Sequence, residues 1–373
     1  MHLLIAPDKF RGTLTARQAA EAFETGWRRA RPGDTFDLAP LADGGEGTLE
    51  ALVDALGGTI VSARVAGPLG EPVDAAFGVA EGSTGRLAVV EMARASGLSL
   101  LSRSRRDPRR TSTFGTGELI RRALDHHPDR LVVCIGGSAT NDGGAGMAQA
   151  LGARLYDASG SSIDAGGSSL MHLAGIDASA LDPRLRGVKV TVASDVDNPL
   201  CGPSGASATY GPQKGASPEV VRELDQGLAH LAAIVGRDMG IELKDEPGAG
   251  AAGGLGFGLM AFCGARLRPG IDVVMEAVGF ADRLTASDLV VTGEGKLDQQ
   301  SLHGKVPAGV LRLAVESEVA VYIVCGAAEV IPPGAKVWSL AQRFGLDAAL
   351  HDARRCLSEL AAELAEGWGS VGS

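Results

Sequence analysis

Apolar residues fall along the chain in two textures. Short β-branched or leucine-rich runs recur at LLIAP (3–7), TFDLAP (35–40), RLVVCIG (130–136), VKVTVAS (188–194), DLVVTG (288–293) and VAVYIVCG (319–326). Each ends in a polar, glycine-bearing turn that leads into a stretch of helical spacing, the pattern of parallel strands alternating with helices. TARQAAEAFETGWRRA (15–30), GELIRRALDHH (117–127) and PEVVRELDQGLAHLAAIVGRDM (218–239) carry apolar residues three and four apart and predict amphipathic helices. Between Thr59 and Met92 the texture changes to TIVSARVAG, EPVDAAFGVA and RLAVVEMA, broken by Gly-Pro and Gly-Ser-Thr-Gly, which predicts antiparallel hairpins.

That change puts a domain boundary near residue 62, and Arg268-Pro269-Gly270 puts a second near 270. Residues 1–62 and 271–373 then share one five-stranded sheet (LLIAP, TFDLAP, DLVVTG, VYIVCG, KVWSLA), with 63–270 inserted as a second α/β domain of mixed sheet and hairpins. The cleft between two such domains is the expected ligand site.

Composition sharpens this picture in three ways. With 373 residues, 45% of them hydrophobic, the chain has the apolar mass for two packed domains, while its 53 glycines, about twice the usual share, point to local backbone tasks. A net charge of −10 with 4% aromatics argues against a nucleic-acid surface, so an anionic ligand must meet local cations and backbone amides. The five scattered cysteines lack C-x-x-C spacing, which argues against a zinc site or disulfide framework and fits the cytoplasm. MHLLIAPDKF reads as no export signal, and LGFGLMAFCGA (255–265) is too short to span a bilayer.

Ligands of open parallel sheets bind where strands end and helices begin. Polar residues crowd those places: Asp8-Lys9-Phe10-Arg11-Gly12-Thr13, Ala42-Asp43-Gly44-Gly45-Glu46-Gly47-Thr48, and Gly293-Glu294-Gly295-Lys296-Leu297-Asp298. The plainer alternative is that Asp43 or Thr13 caps a helix. RLVVCIG runs into Gly136-Gly137-Ser138-Ala139-Thr140-Asn141-Asp142-Gly143-Gly144, either a phosphate cradle of converging amides or a tight strand-to-helix connection. Asp195, ending VKVTVASD, suits a base or Mg²⁺ ligand or else an Asx turn, and Lys214 suits phosphate or solvent. Gly248-Ala249-Gly250-Ala251-Ala252-Gly253 spells G-x-G-x-x-G, but it follows a charged run ending in Pro247 and is no dinucleotide fingerprint. There is no P-loop signature and no H-E-x-x-H; His303, beside Lys305, is the histidine of interest.

Taken in order, IAPDKFRGTLTA, PLADGGEGTLEAL, TSTFGTGELI, CIGGSATNDGGAGMAQALG, ASDVDNPLCGPSGA, GPQKGAS, GAGAAGGLGFGL and VTGEGKLDQQSLHGKVPAGV resemble the type I glycerate kinases over nearly the full length. One departure is Arg11, where that family usually carries lysine; it keeps the charge and changes the donor geometry. The resemblance implies two α/β domains, one flavodoxin-like and discontinuous, with D-glycerate, ATP and Mg²⁺ meeting between them and 2-phosphoglycerate as the favoured product. Phosphoryl transfer requires an in-line nucleophile and neutralised phosphate charge. The resulting expectations are Asp195, Asp8 and Lys9 as catalytic groups, and Arg11, Asp43, Glu46 and Lys305 for substrate. Gly136, Gly137, Ser138, Thr140, Asn141, Asp142 and Lys214 are expected to hold nucleotide, and Glu294 and Asp298 the metal. Asp8, Asp43 and Glu294 compete with Asp195 for the roles of base and metal ligand. A kinase of another hydroxy or sugar acid, and a two-domain binding protein, are the rival readings.

Overall fold

The structure is a computed structural model that describes residues 1–10, 12–82, 85–302 and 304–368. Its strands are β1 (His2–Ile5), β2 (Thr35–Leu38), β3 (Thr59–Ala66), β4 (Pro72–Gly82), β5 (Gly85–Glu91), β6 (Arg130–Cys134), β7 (Arg154–Tyr156), β8 (Gly175–Asp177), β9 (Lys189–Ala193), β10 (Arg266–Arg268), β11 (Leu289–Leu297), β12 (Ala320–Ala328) and β13 (Lys336–Ser339). The chain divides into two compact units, Met1–Asp43 together with the chain from Gly270 onward, and Gly44–Pro269. The first division falls ahead of the textural change near 62 because the helix Thr48–Ala55 is tied into the inserted unit. Glu91 Oε1 accepts the N–H groups of Gly47 and Leu49, both at 3.0 Å. Among the described residues no helix is long and apolar enough to cross a membrane.

In the discontinuous unit five parallel strands lie in the order β2-β1-β11-β12-β13, built from the five runs the sequence pattern singles out. Numbered within this unit alone the order is 2-1-3-4-5, the flavodoxin arrangement, whose direction of winding reverses between β1 and β11. Leu3, Leu4 and Ile5 are all buried, as expected of a parallel strand covered on both faces. The helix Ala16–Ala30 starts at a capping box in which Thr15 Oγ1 accepts the Gln18 N–H and Gln18 Oε1 accepts the Thr15 N–H. Its buried Phe23 and Trp27 share a core with Leu357 and Leu360 of the helix Ala353–Gly367.

The inserted unit carries a six-stranded sheet in the order β10-β9-β6-β5-β4-β3. The segments of alternating texture form the antiparallel part, β3-β4-β5, and β5 then pairs in parallel with β6, which begins a run continued by β9 and β10. The helix Ala251–Cys263 is apolar all round and correspondingly buried. It is entered through a left-handed turn at Ala252, Gly253 and Gly254, with φ of 54°, 72° and 87°. Gly253 lies so close to the Thr140 carbonyl that a Cβ there would collide with it. This is the backbone reason for the glycine pattern that mimics a dinucleotide motif.

Candidate active site

In the discontinuous unit the polar residues gather at the carboxyl ends of β1 and β11, the switch point of the sheet. The strand ends are tied together beyond their ladder: the Asp8 N–H donates to Gly293 O at 2.8 Å and Thr292 Oγ1 donates to Ala6 O at 2.8 Å. Residue 293 is glycine because the Val324 carbonyl of β12 occupies the space a Cβ would need. This places Asp8, 7% exposed, in the loop that leaves β1, beside β11, which carries Glu294, 7% exposed.

Asp8 accepts the Lys9 N–H at 2.7 Å, its one hydrogen-bond donor among the described residues. Burial, then the Asp43 charge and more weakly Glu294, push its carboxyl up to about 7, against the opposing effect of Lys9. Burial also pushes Glu294 up, with Asp298 and Asp43 adding and Ser301 and Lys305 opposing. Glu294 Oε1 is shielded from solvent and has no hydrogen-bond partner among the described residues. Asp298 closes a turn with Ser301, taking its N–H at 3.3 Å and giving its own N–H to Ser301 Oγ at 3.0 Å. Lys305 Nζ stands 3.9 Å from Asp298 Oδ1, and Lys305 is the N-cap of the helix Val306–Glu316, an end that favours anions. Asp8, Lys9, Asp43, Glu294, Asp298 and Lys305 thus belong to one unit, and electrostatic contacts link them. Arg11 and His303 lie outside the described residues.

The inserted unit gathers a second set. After β6 the glycine loop passes Gly137 and Gly143, both at positive φ, into the short helix Ala145–Ala150. Asp142, 1% exposed, holds this loop. Its carboxylate accepts the Thr113 N–H at 2.8 Å, the Thr113 hydroxyl at 2.9 Å, the Ser112 hydroxyl at 3.3 Å, and the N–H groups of Gly144 and Gly146 at 3.2 and 3.3 Å. Burial pushes its carboxyl up while these donors oppose the rise. Lys214 is 2% exposed and donates to Thr140 O at 2.7 Å, so the solvated alternative for it is overturned. Burial pulls its ammonium down to about 7, partly offset by Asp142. Thr140 Oγ1 and Asn141 Oδ1 are buried without partners among the described residues.

Gly136 approaches the Gly44–Gly47 turn, where a Cβ on it would meet Gly45 Cα at 3.4 Å, and Glu46 in that turn is exposed. Asp195 is exposed beyond β9, which lies next to β6 in the same sheet. The plain capping alternatives are corrected by the structure. Thr13 donates to Phe10 O while Thr15 caps the helix that follows, and Glu91 rather than Asp43 satisfies the first amides around the helix Thr48–Ala55. Glu91, Thr113 and Ser301 were not legible as partners, because the groups they serve lie far away in sequence or are themselves acids.

Among the described residues no group of three or more His, Cys, Asp and Glu side chains is arranged to hold a metal ion. Comparison with known proteins gives a consistent result. The family described as the glycerate kinase family matches residues 3–369. A glycerate kinase of Bacillus subtilis (strain 168) is 53% identical over 326 residues, 87% of this chain and 85% of the relative. The glycerate 2-kinase of Escherichia coli (strain K12) is 50% identical over 314 residues, 84% of this chain and 82% of the relative. A crystal structure from Salmonella typhimurium LT2, provisionally named glycerate kinase 2, superposes with a TM-score of 0.92 at 45% identity, covering 100% of this chain and 99% of that one.

Proposed function

The chain belongs to the glycerate kinase family, and from that premise we propose that it transfers the terminal phosphoryl group of ATP to D-glycerate, with Mg²⁺, to give 2-phosphoglycerate. The observation that carries the chemistry is Asp8, a buried carboxylate beside two others and raised to about 7. A general base works best with a pKa near the operating pH, and Asp8 meets that condition at the switch point of its sheet. Its burial favours it over the exposed Asp195 as the group that takes the substrate hydroxyl proton.

Lys305 and the helix N-terminus it caps suit the carboxylate of glycerate, with Lys9, Arg11, Asp43 and Glu46 as further substrate contacts. Nucleotide phosphates go to the amides and side chains of Gly136, Gly137, Ser138, Thr140 and Asn141, with Lys214 as countercharge and Asp142 holding the loop in shape. The residues present fit a magnesium ion delivered with the nucleotide, which needs only one or two protein carboxylates beside phosphate oxygens and water. Glu294, whose Oε1 is buried and unpartnered, and Asp298 beside it would hold that ion. Bound there, it would neutralise charge on the transferred group. The five free cysteines fit a cytoplasmic setting.

Incubation with D-glycerate, ATP and Mg²⁺ should give the phosphorus NMR signal of 2-phosphoglycerate. A 3-phosphoglycerate signal would overturn the regiochemistry. ADP release with lactate, tartronate or gluconate but not with glycerate would overturn the substrate.

A further inference from the structure

Residues 103–110, RSRRDPRR, hold five arginines in eight positions within a chain of net charge −10. Two of the five are neutralised close by. Arg109 grips Asp107 with Nε and Nη2, both at 2.9 Å, and Arg105 reaches Glu71 at 3.2 Å. Arg106 is different: its chain neighbour Asp107 is committed to Arg109, and it makes no ion pair among the described residues. Its Nε–H is shielded from solvent and has no acceptor among the described residues. An unsatisfied buried donor costs about 1–3 kcal/mol, and more when charged, so a fold that keeps one calls for an explanation such as a ligand.

Arg106 stands beside the Lys214–Gly215 turn of the same unit. Its backbone lies against Gly215, where a Cβ would collide with the Arg106 carbonyl, and Gly215 directly follows Lys214. Lys214 spends one N–H on Thr140 O and has no ion pair among the described residues. The neighbouring Thr140 Oγ1 and Asn141 Oδ1, on fully buried side chains, are also unpartnered among the described residues. Asn141 Nδ2 bonds Ser207 Oγ at 2.9 Å. Turning the amide over lets the Ser207 hydroxyl donate to Oδ1 and leaves Nδ2–H as another unspent donor. Two cationic side chains with a hydroxyl and an amide suit a phosphate, with its several charged oxygens, better than a monoanionic carboxylate.

We propose that Arg106 is a phosphate ligand of the inserted unit, acting with Lys214 on the polyphosphate chain of the nucleotide. This rests on the kinase reading above and adds a residue to it.

Calorimetric titration of the full chain with ADP and with inorganic tripolyphosphate tests it. Arg106→Met should weaken both by about tenfold or more, the loss of a charge-assisted contact, and leave KM for D-glycerate unchanged. Arg106→Lys should fall between wild type and Arg106→Met. Arg103→Met and Arg110→Met, exposed neighbours in the same stretch, should stay within about twofold. Wild-type tripolyphosphate affinity in Arg106→Met overturns the proposal, as does an equal loss in the Arg103 and Arg110 variants, which would reveal a general field effect. Should Arg106→Met not fold, Arg106→Lys decides by the same comparison, since it keeps the charge and loses the Nε donor. Failure of the wild type to phosphorylate glycerate would overturn the kinase reading and leave the tripolyphosphate comparison intact.

Discussion

Asp8 and Asp142 occupy comparable places in two different sheets. Each lies in the loop that leaves an interior parallel strand, β1 in one unit and β6 in the other, and each is buried. Their surroundings separate them. Asp142 meets hydrogen-bond donors from Ser112, Thr113, Gly144 and Gly146, so its charge is spent on holding the loop. Burial raises both carboxyls, but Asp8 meets one N–H among the described residues, the opposing charge of Lys9 and two more carboxylates, and it rises to about 7. A raised carboxyl therefore does not by itself mark an acid for chemistry; the difference between the two is the set of donors that occupies Asp142 and is missing at Asp8 among the described residues.

The same substitution at the two positions should have opposite effects. Asp8→Asn should lower kcat by about 10²–10⁴-fold while raising stability. The sign follows from the raised carboxyl. Below about pH 4 the folded and unfolded chains both carry it protonated, and it costs nothing. Between about pH 4 and 7 the unfolded chain ionises this group while the folded chain keeps it protonated, so stability falls through that window and the penalty, of order 4 kcal/mol for a shift from 3.8 to about 7, is complete above it. Asp8→Asn should therefore melt above wild type at pH 8 and with it at pH 4; equal melting at pH 8 would break the contrast.

Asp142→Asn should cost about 3 kcal/mol or more in denaturant unfolding, because its amide N–H would face donors and leave them orphaned. A stability loss under about 1 kcal/mol would show that the loop does not need this carboxylate. Smaller still is the effect at Glu91, a third strand-end acid, which caps the amides of Gly47 and Leu49 and pairs with Arg94 at 2.8 Å. Glu91→Gln keeps an acceptor and loses the charge, so a loss of about 1–2 kcal/mol is expected, with KM for glycerate unchanged.

Much of the fold was legible because fully buried parallel strands appear as continuous apolar runs, and LLIAP, DLVVTG and VYIVCG are such runs. RLAVVEMA was harder: as β5 it is antiparallel to β4 on one side and parallel to β6 on the other, so it looks like a hairpin strand. The parallel pairing makes Glu91 a strand-end acid, and its partners Gly47 and Leu49 precede it by some forty residues, a separation that local patterning does not bridge. The clustering of Asp8, Asp43 and Glu294 followed from the rule about strand ends. Which buried acid lacks donors did not, since that depends on Thr113 and Ser112 reaching Asp142 from another segment. Arg106 was hidden for a similar reason: a whole-chain charge count buries a local arginine cluster, and only packing shows which member keeps a shielded donor without an acceptor among the described residues.

The most direct test is a carbon-13 carboxyl titration of aspartate-labelled protein, with the Asp8 resonance assigned by its disappearance in Asp8→Asn. The uncompensated burial described above predicts that this resonance titrates at about 7. A midpoint in the ordinary aspartate range, near ~4, would contradict it.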